Sequence, residues 1–142
     1  MHKRTLCLVA VGLLLVTFNG RAAEPEKEKE KAAVSAAEKW LGLVDEGKNG
    51  ESWKEAAEYF RNAVKQEQWE ESMQAVRKPL GKLVSRKVKS TSYKTSLPGA
   101  PDGEYVVIQF ETSFANKKKT IETVTPMMDK DGKWRVSGYY IN

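Results

Sequence analysis

The chain has 142 residues, 24 Lys and Arg against 19 Asp and Glu, and a formal net charge of +5. That length fits one domain of ordinary size. Its single His and single Cys, His2 and Cys7, stand within the first ten positions, so the rest of the chain offers no Ser-His-Asp triad, no Cys nucleophile, no disulfide and no His or Cys metal site.

The N-terminus reads as a three-part secretory signal. His2, Lys3 and Arg4 form a basic start, and an apolar run follows from Leu6 to Phe18, centred on Leu13 to Val16. Gly20 and Ala22 place small residues at −3 and −1, so cleavage is expected after Ala22, with Ala23 as the alternative. The run is shorter than the ~20 apolar residues a membrane-spanning helix needs, so no stable membrane anchor is expected after cleavage. Cys7 stands at the start of the apolar run rather than after it, preceded by Arg4-Thr5-Leu6 instead of small residues, which argues against a lipid attachment site. Removing Lys3, Arg4 and Arg21 lowers the net charge from +5 to +2. A nucleic-acid partner is therefore not expected, and the implied location is periplasmic or secreted.

Residues 24–31 alternate Glu and Lys after Pro25 and carry almost no apolar surface. They are expected to form a charged flexible leader, so the division is 1–23 signal, 24–31 leader and 32–142 a single domain. Ala33, Ala37, Trp40, Leu41 and Val44 recur at helical spacing, and Gly47 supplies a C-terminal cap. Ser52 and Glu55 have capping-box spacing, which predicts a second helix running to Phe60 or Val64. The third helix is predicted over 66–77, with Trp69, Met73 and Val76 on one side, and Pro79 is expected to end it and push Lys78 towards extended geometry. Trp40, Trp53 and Trp69 lie on these stripes and are read as core.

Beyond Gly81 the apolar period changes to two, and four strands are predicted over 83–96, 104–114, 120–128 and 133–141. Val106, Ile108, Phe110, Thr112 and Phe114 should share one face. Pro126 suggests an edge strand or a bulge. Trp134, Val136, Gly138 and Tyr140 should alternate against Arg135, Ser137, Tyr139 and Ile141, and Asp129 to Gly132 should form a tight turn. Lys117, Lys118 and Lys119 read as a solvated turn, with an anion site as the alternative. Short turns imply antiparallel neighbours. The predicted class is α+β: three N-terminal helices packed on a curved four-stranded antiparallel sheet.

Several stretches together carry a family likeness: Ser52-Trp53, Trp69-Glu70, Arg77 to Gly81, Leu97 to Tyr105, Glu122 to Pro126 and Gly132 to Ile141. They resemble the uncharacterised bacterial family "domain of unknown function four thousand and nineteen". The resemblance implies an exported protein with a cystatin-like or nuclear-transport-factor-two-like fold. It implies no activity, since function does not travel with a fold.

No Gly-rich phosphate loop is present, and no cofactor is called for. The candidate site groups Arg77, Arg86, Glu122 and Arg135, joined by Tyr139. Arg86 is in phase with Val84 and Val88, and Glu122 with Val124. If those faces turn inward, burial forces the charges to pair. The group then reads either as a structural ion network or as a polar ligand cavity with Glu122 as a weak candidate base. The segment around Pro98, Gly99, Pro101 and Asp102 is a rigid turn and a candidate partner loop. Three functional readings follow. The first is a non-enzymatic module that binds a small molecule or another exported protein. The second is a carboxylate-dependent isomerase or dehydratase. The third is a structural subunit without a pocket, with a homodimer through the sheet as one arrangement.

Overall fold

A computed structural model describes residues 24–142. The expected signal segment lies outside them. The order is α1 (Glu24–Asp45), α2 (Asn49–Lys54), α3 (Glu58–Ala63), α4 (Gln66–Arg77), a 3-10 turn (Lys78–Leu80), then β1 (Leu83–Lys94), β2 (Tyr105–Phe114), β3 (Lys117–Met128) and β4 (Trp134–Ile141). The strands form one open antiparallel sheet in the order β1-β2-β3-β4. The class is α+β, with the helices preceding the sheet, and α1 touches all four strands.

The predicted stripe on α1 is buried in full: Ala33, Ala37 and Leu41 are inaccessible, and Trp40 and Val44 nearly so. Gly47 ends the helix as expected. At φ 74° it lets its own N–H reach the Val44 carbonyl and that of Lys48 reach Leu43. The charged segment 24–31 is not a loose leader. It forms the first turns of α1, with Pro25 in the position a helix start tolerates. Tertiary contact holds it there, because the Lys29 ammonium bonds Glu104 and lies 5.2 Å from the Tyr93 ring centre.

The single second helix expected over 52–64 is two short ones. Between them the Ala57 N–H leaves helical bonding and donates to the Val136 carbonyl at 2.8 Å, joining the connection to the edge of β4. Ser52 lies inside α2 rather than at its cap, and no side chain caps that helix. Its hydroxyl donates to the Asn49 carbonyl at 2.7 Å and accepts the Trp69 indole N–H at 2.9 Å, while the Trp40 indole donates to the Ser52 carbonyl at 2.8 Å. In α4, Trp69 and Met73 are buried but Val76 is exposed. Pro79 does not turn the chain extended. Lys78 stays helical at φ −57° and ψ −46°, and Pro79 sits early in the new 3-10 turn, where a missing N–H costs nothing.

On the sheet, Val106, Ile108, Phe110, Thr112 and Phe114 share the buried face as predicted. The Lys117 to Lys119 segment opens β3 instead of forming a turn; the turn is Ala115-Asn116. Its amides bond the Lys82 and Leu80 carbonyls, and it packs where a Cβ on Gly81 would stand 3.2 Å from Ala115. Pro126 marks a bulge but not an edge, since β3 is interior. The bulge changes the phase of β4: Val136 pairs with Pro126, yet Gly138 pairs with Thr125 and Tyr139 with Val124. Tyr139 therefore turns towards the core, and Tyr140 is left 56% exposed.

Replacing Ser52 tests the junction of α1, α2 and α4. Ser52→Ala leaves the buried Trp69 indole N–H without its acceptor and is expected to lower stability by about 1–3 kcal/mol, as measured by urea unfolding. An unchanged midpoint would mean that this hydrogen bond does not secure the junction.

Candidate functional site

Four of the five candidate residues converge at one end of the sheet, and a fifth group that sequence reading overlooked completes them. Arg86 points inward from β1, between Asp45 at the last position of α1 and Glu122 in the middle of β3. Its Nε and Nη2 donate to the two Glu122 oxygens at 2.7 and 3.2 Å, and its Nη1 and Nη2 donate to the two Asp45 oxygens at 2.7 and 2.9 Å. One planar guanidinium thus engages two carboxylates in bidentate fashion. Arg77, from the last turn of α4, donates to Asp45 Oδ1 at 2.8 Å and lies 4.7 Å from the Phe114 ring centre. Two cations meet two anions, so the group is electrically closed.

Glu122 has no exposed surface. It also accepts the Thr112 hydroxyl at 2.5 Å and the Tyr139 hydroxyl. Tyr139 reaches it only because the β4 bulge turns the strand by one residue. Burial, the Glu122 charge and their hydrogen bond together raise the Tyr139 phenol well above its ordinary value. Burial works to raise the Asp45 carboxyl, but the guanidinium groups of Arg86 and Arg77 outweigh it and hold the carboxyl below the ordinary carboxylate range. Burial works to lower the Arg86 guanidinium, and its bonds to Asp45 and Glu122 more than reverse that. Nε and Nη1 of Arg77 are buried without a hydrogen-bond partner.

Arg135 does not join this group. The β4 register places it at the other end of the sheet, where it pairs with Asp131 at 2.6 Å and Asp129 at 3.6 Å. The loop of Pro98, Gly99, Pro101 and Asp102 forms an exposed rim, pinned by the Tyr59 hydroxyl donating to the Gly99 carbonyl at 2.9 Å and by Tyr105 donating to the Pro101 carbonyl. Asp45 carried one signal in the sequence. An acidic residue in the last turn of a helix opposes the macrodipole and so calls for a cationic partner.

Glu122 opens into no cleft. The larger concavity, about 870 Å³, lies between α1, α2 and the β3–β4 hairpin. Trp40, Leu43, Trp134 and Val136 supply apolar wall; Lys39, Lys54 and Lys133, which form no ion pair among the described residues, stand at it with Arg135, Glu51 and Glu55. Sequence reading missed this site, because its residues come from three distant segments that only the fold brings together. Among the described residues, no group of three or more His, Cys, Asp or Glu side chains is placed to hold a metal ion, and no helix is long and apolar enough to cross a membrane.

The chain matches the family described as "protein of unknown function (DUF4019)" over residues 36–139, most of its length, and belongs to that family. No curated protein and no solved structure matches it.

The buried quartet predicts two behaviours. Arg86→Met strands Glu122 without a cation and should cost about 3–5 kcal/mol, whereas the double change Arg86→Met with Glu122→Met should recover much of the loss; chemical denaturation of the two variants compares them. Stability should also depend on pH at both extremes. The lowered Asp45 value gives a contribution that is complete above the ordinary carboxylate range and lost as pH falls below about 4. The raised Tyr139 value gives one that is lost as pH rises beyond about 10. Asp45→Asn should flatten the acid limb of a melting-temperature profile and Tyr139→Phe the alkaline limb.

Proposed function

We propose that the chain is an exported, non-enzymatic binding module that holds a small amphipathic ligand bearing an anionic group in the cleft between α1, α2 and the β3–β4 hairpin. Export rests on the basic, apolar and small-residue pattern of the first 23 residues. The observation that carries the binding reading is the composition of the cleft: an aromatic and aliphatic wall with Trp134 and Val136, beside four cations, Lys39, Lys54, Lys133 and Arg135, against two carboxylates, Glu51 and Glu55, with none of the three lysines held in an ion pair among the described residues. A concave, largely apolar site with a few placed polar groups is the usual form of a small-molecule pocket. The wall takes the apolar body of the ligand, and the ammonium groups take its anion.

The carboxylate-dependent isomerase reading has less support. Glu122 is inaccessible, and its oxygens are occupied by Arg86, Thr112 and Tyr139. A general base must come within about 3 Å of the proton it removes, and no substrate atom reaches that distance without dismantling the quartet. The quartet is the scaffold in this reading, and the cleft is the site.

Purification from the native envelope followed by mass spectrometry tests both parts. The chain is expected to begin at Ala23 or Glu24 and to retain an anionic amphiphile. Trp134→Ala should release that ligand, with some loss of melting temperature because the ring also packs on the core, and Lys39→Glu with Lys133→Glu, both exposed, should release it with little change in melting temperature. Glu122→Gln should lower the melting temperature but keep the ligand below the transition. Retention unaffected by Trp134→Ala, or an intact N-terminus beginning at Met1, would overturn the corresponding part.

A further inference from the structure

The opposite face of the sheet carries a second feature, unrelated to the cleft. The helices pack on the face that presents Val106, Ile108, Phe110 and Val124. The outward rows have no such cover. Ser85 stands opposite Ser113, and Lys87, Glu111 and Ile121 lie in line across β1, β2 and β3. The small serine row leaves a trough of about 560 Å³, with Lys87 and Ile121 on one side and Lys118 and Lys119 on the other. Lys87 pairs with Glu111 at 3.1 Å, whereas Lys118 and Lys119 form no ion pair among the described residues. One side-chain carboxylate, Glu111, therefore shares the trough with three ammonium groups, and Asn142 closes its end.

We propose that this trough is a docking site for an extended acidic segment of another protein, laid across the outer face of β1, β2 and β3. Charge complementarity sets the sign of the partner. A second copy of the chain would bring the same lysines, Lys87, Lys118 and Lys119, against one another. The dimensions suit a short stretch of polypeptide, since three strands span about 10 Å at ~4.8 Å spacing, the length of about three extended residues. Lysine binds as a point charge on a flexible stem, without the forked geometry that selects phosphate, and Arg86, which borders the trough, turns its guanidinium to the other face, where Asp45 and Glu122 hold it. Glu111 in the middle of the floor repels a compact polyanion. A peptide can place a hydroxyl or a cation there between its acidic residues. Ser85 and Ser113 add hydroxyls that can bond its backbone.

The test uses the purified chain and a fluorescent decapeptide of alternating glutamate and serine, followed by anisotropy and by amide chemical shifts. Binding is expected at low salt, weakening as salt screens the lysines. Shifts should concentrate at Ser85, Lys87, Ser113, Lys119 and Ile121. Charge reversal by Lys118→Glu with Lys119→Glu, both exposed, should weaken binding about tenfold or more, and Lys87→Glu should weaken it independently. Reversal of Lys39 and Lys133 in the other cleft should leave it unchanged, which separates failure here from failure of the small-ligand reading. The inference is overturned if the peptide does not bind at low salt, if the shifts map elsewhere, if the trough reversals have no effect, if inorganic phosphate displaces the peptide at equal affinity, or if the shifts reflect a concentration-dependent dimer.

Discussion

The arrangement turns on one guanidinium. Arg86 belongs to an edge strand whose remaining side chains are largely exposed. With Tyr93, which packs against the core further along, it commits that strand to the interior. Burying it is unfavourable unless both of its faces are answered, and the answers come from separate elements: Asp45 from the end of α1 and Glu122 from β3, with Arg77 of α4, Thr112 of β2 and Tyr139 of β4 completing the group. A one-residue slip of β1 would expose Arg86 and turn Lys87 inward, since alternate residues face opposite sides. The network thus fixes register where hydrophobic patterning is weakest, because Val84 and Val88, its apolar neighbours in phase, are themselves exposed. An inward-pointing charge is also one of the recognised ways an edge strand is kept from pairing with other chains.

What the sequence made legible was local. The stripe on α1, the Gly47 cap and the buried face of β2 follow from period and residue type alone, and all stand as read. The departures have distant causes. The second helix breaks because the Ala57 amide is drawn to Val136, a residue 79 positions away. The first turns of α1 are held by Glu104 and Tyr93, which lie far along the chain. Tyr139 was named as a site residue but placed in the wrong phase, because strict alternation was carried through a bulge. Gly138 and Pro126, paired on either side of that irregularity, were its only signs. Arg86, Glu122 and Arg77 were recognised as a charge group because buried charges must pair. Arg135 was included without any means of knowing that it lies at the other end of the sheet. Asp45 was overlooked, since a carboxylate closing a helix looks like ordinary surface until its partners are known.

Burial and accessibility then divide the molecule into scaffold and surface. The most conspicuous titratable residue, Glu122, is the least available, because each of its hydrogen bonds serves packing. The open chemistry lies with lysines that attract little notice in a chain rich in them. Their position sets them apart: Lys39, Lys54 and Lys133 gather round one apolar wall, and Lys118 and Lys119 lie beside a serine row without an ion pair among the described residues.

The two parts are nevertheless joined through α1. Its buried stripe and its cleft-facing positions Ala32, Ala36 and Leu43 are adjacent turns of one surface, and Trp40 belongs to both. The Trp40 ring lies 5.4 Å from Tyr139 and 5.8 Å from Trp69, and its indole N–H is held by Ser52. Tyr139 in turn holds Glu122. The cleft wall is therefore braced from behind by the same residue that closes the ion network. A binding surface gains affinity when its groups are fixed before the ligand arrives, and Trp40 is fixed here by packing and by hydrogen bonding at once. If the cleft is the binding site proposed above, the charge-balanced quartet contributes to recognition without touching a ligand, by keeping α1 seated on the sheet at the end where its last carboxylate would otherwise be repelled by its own helix.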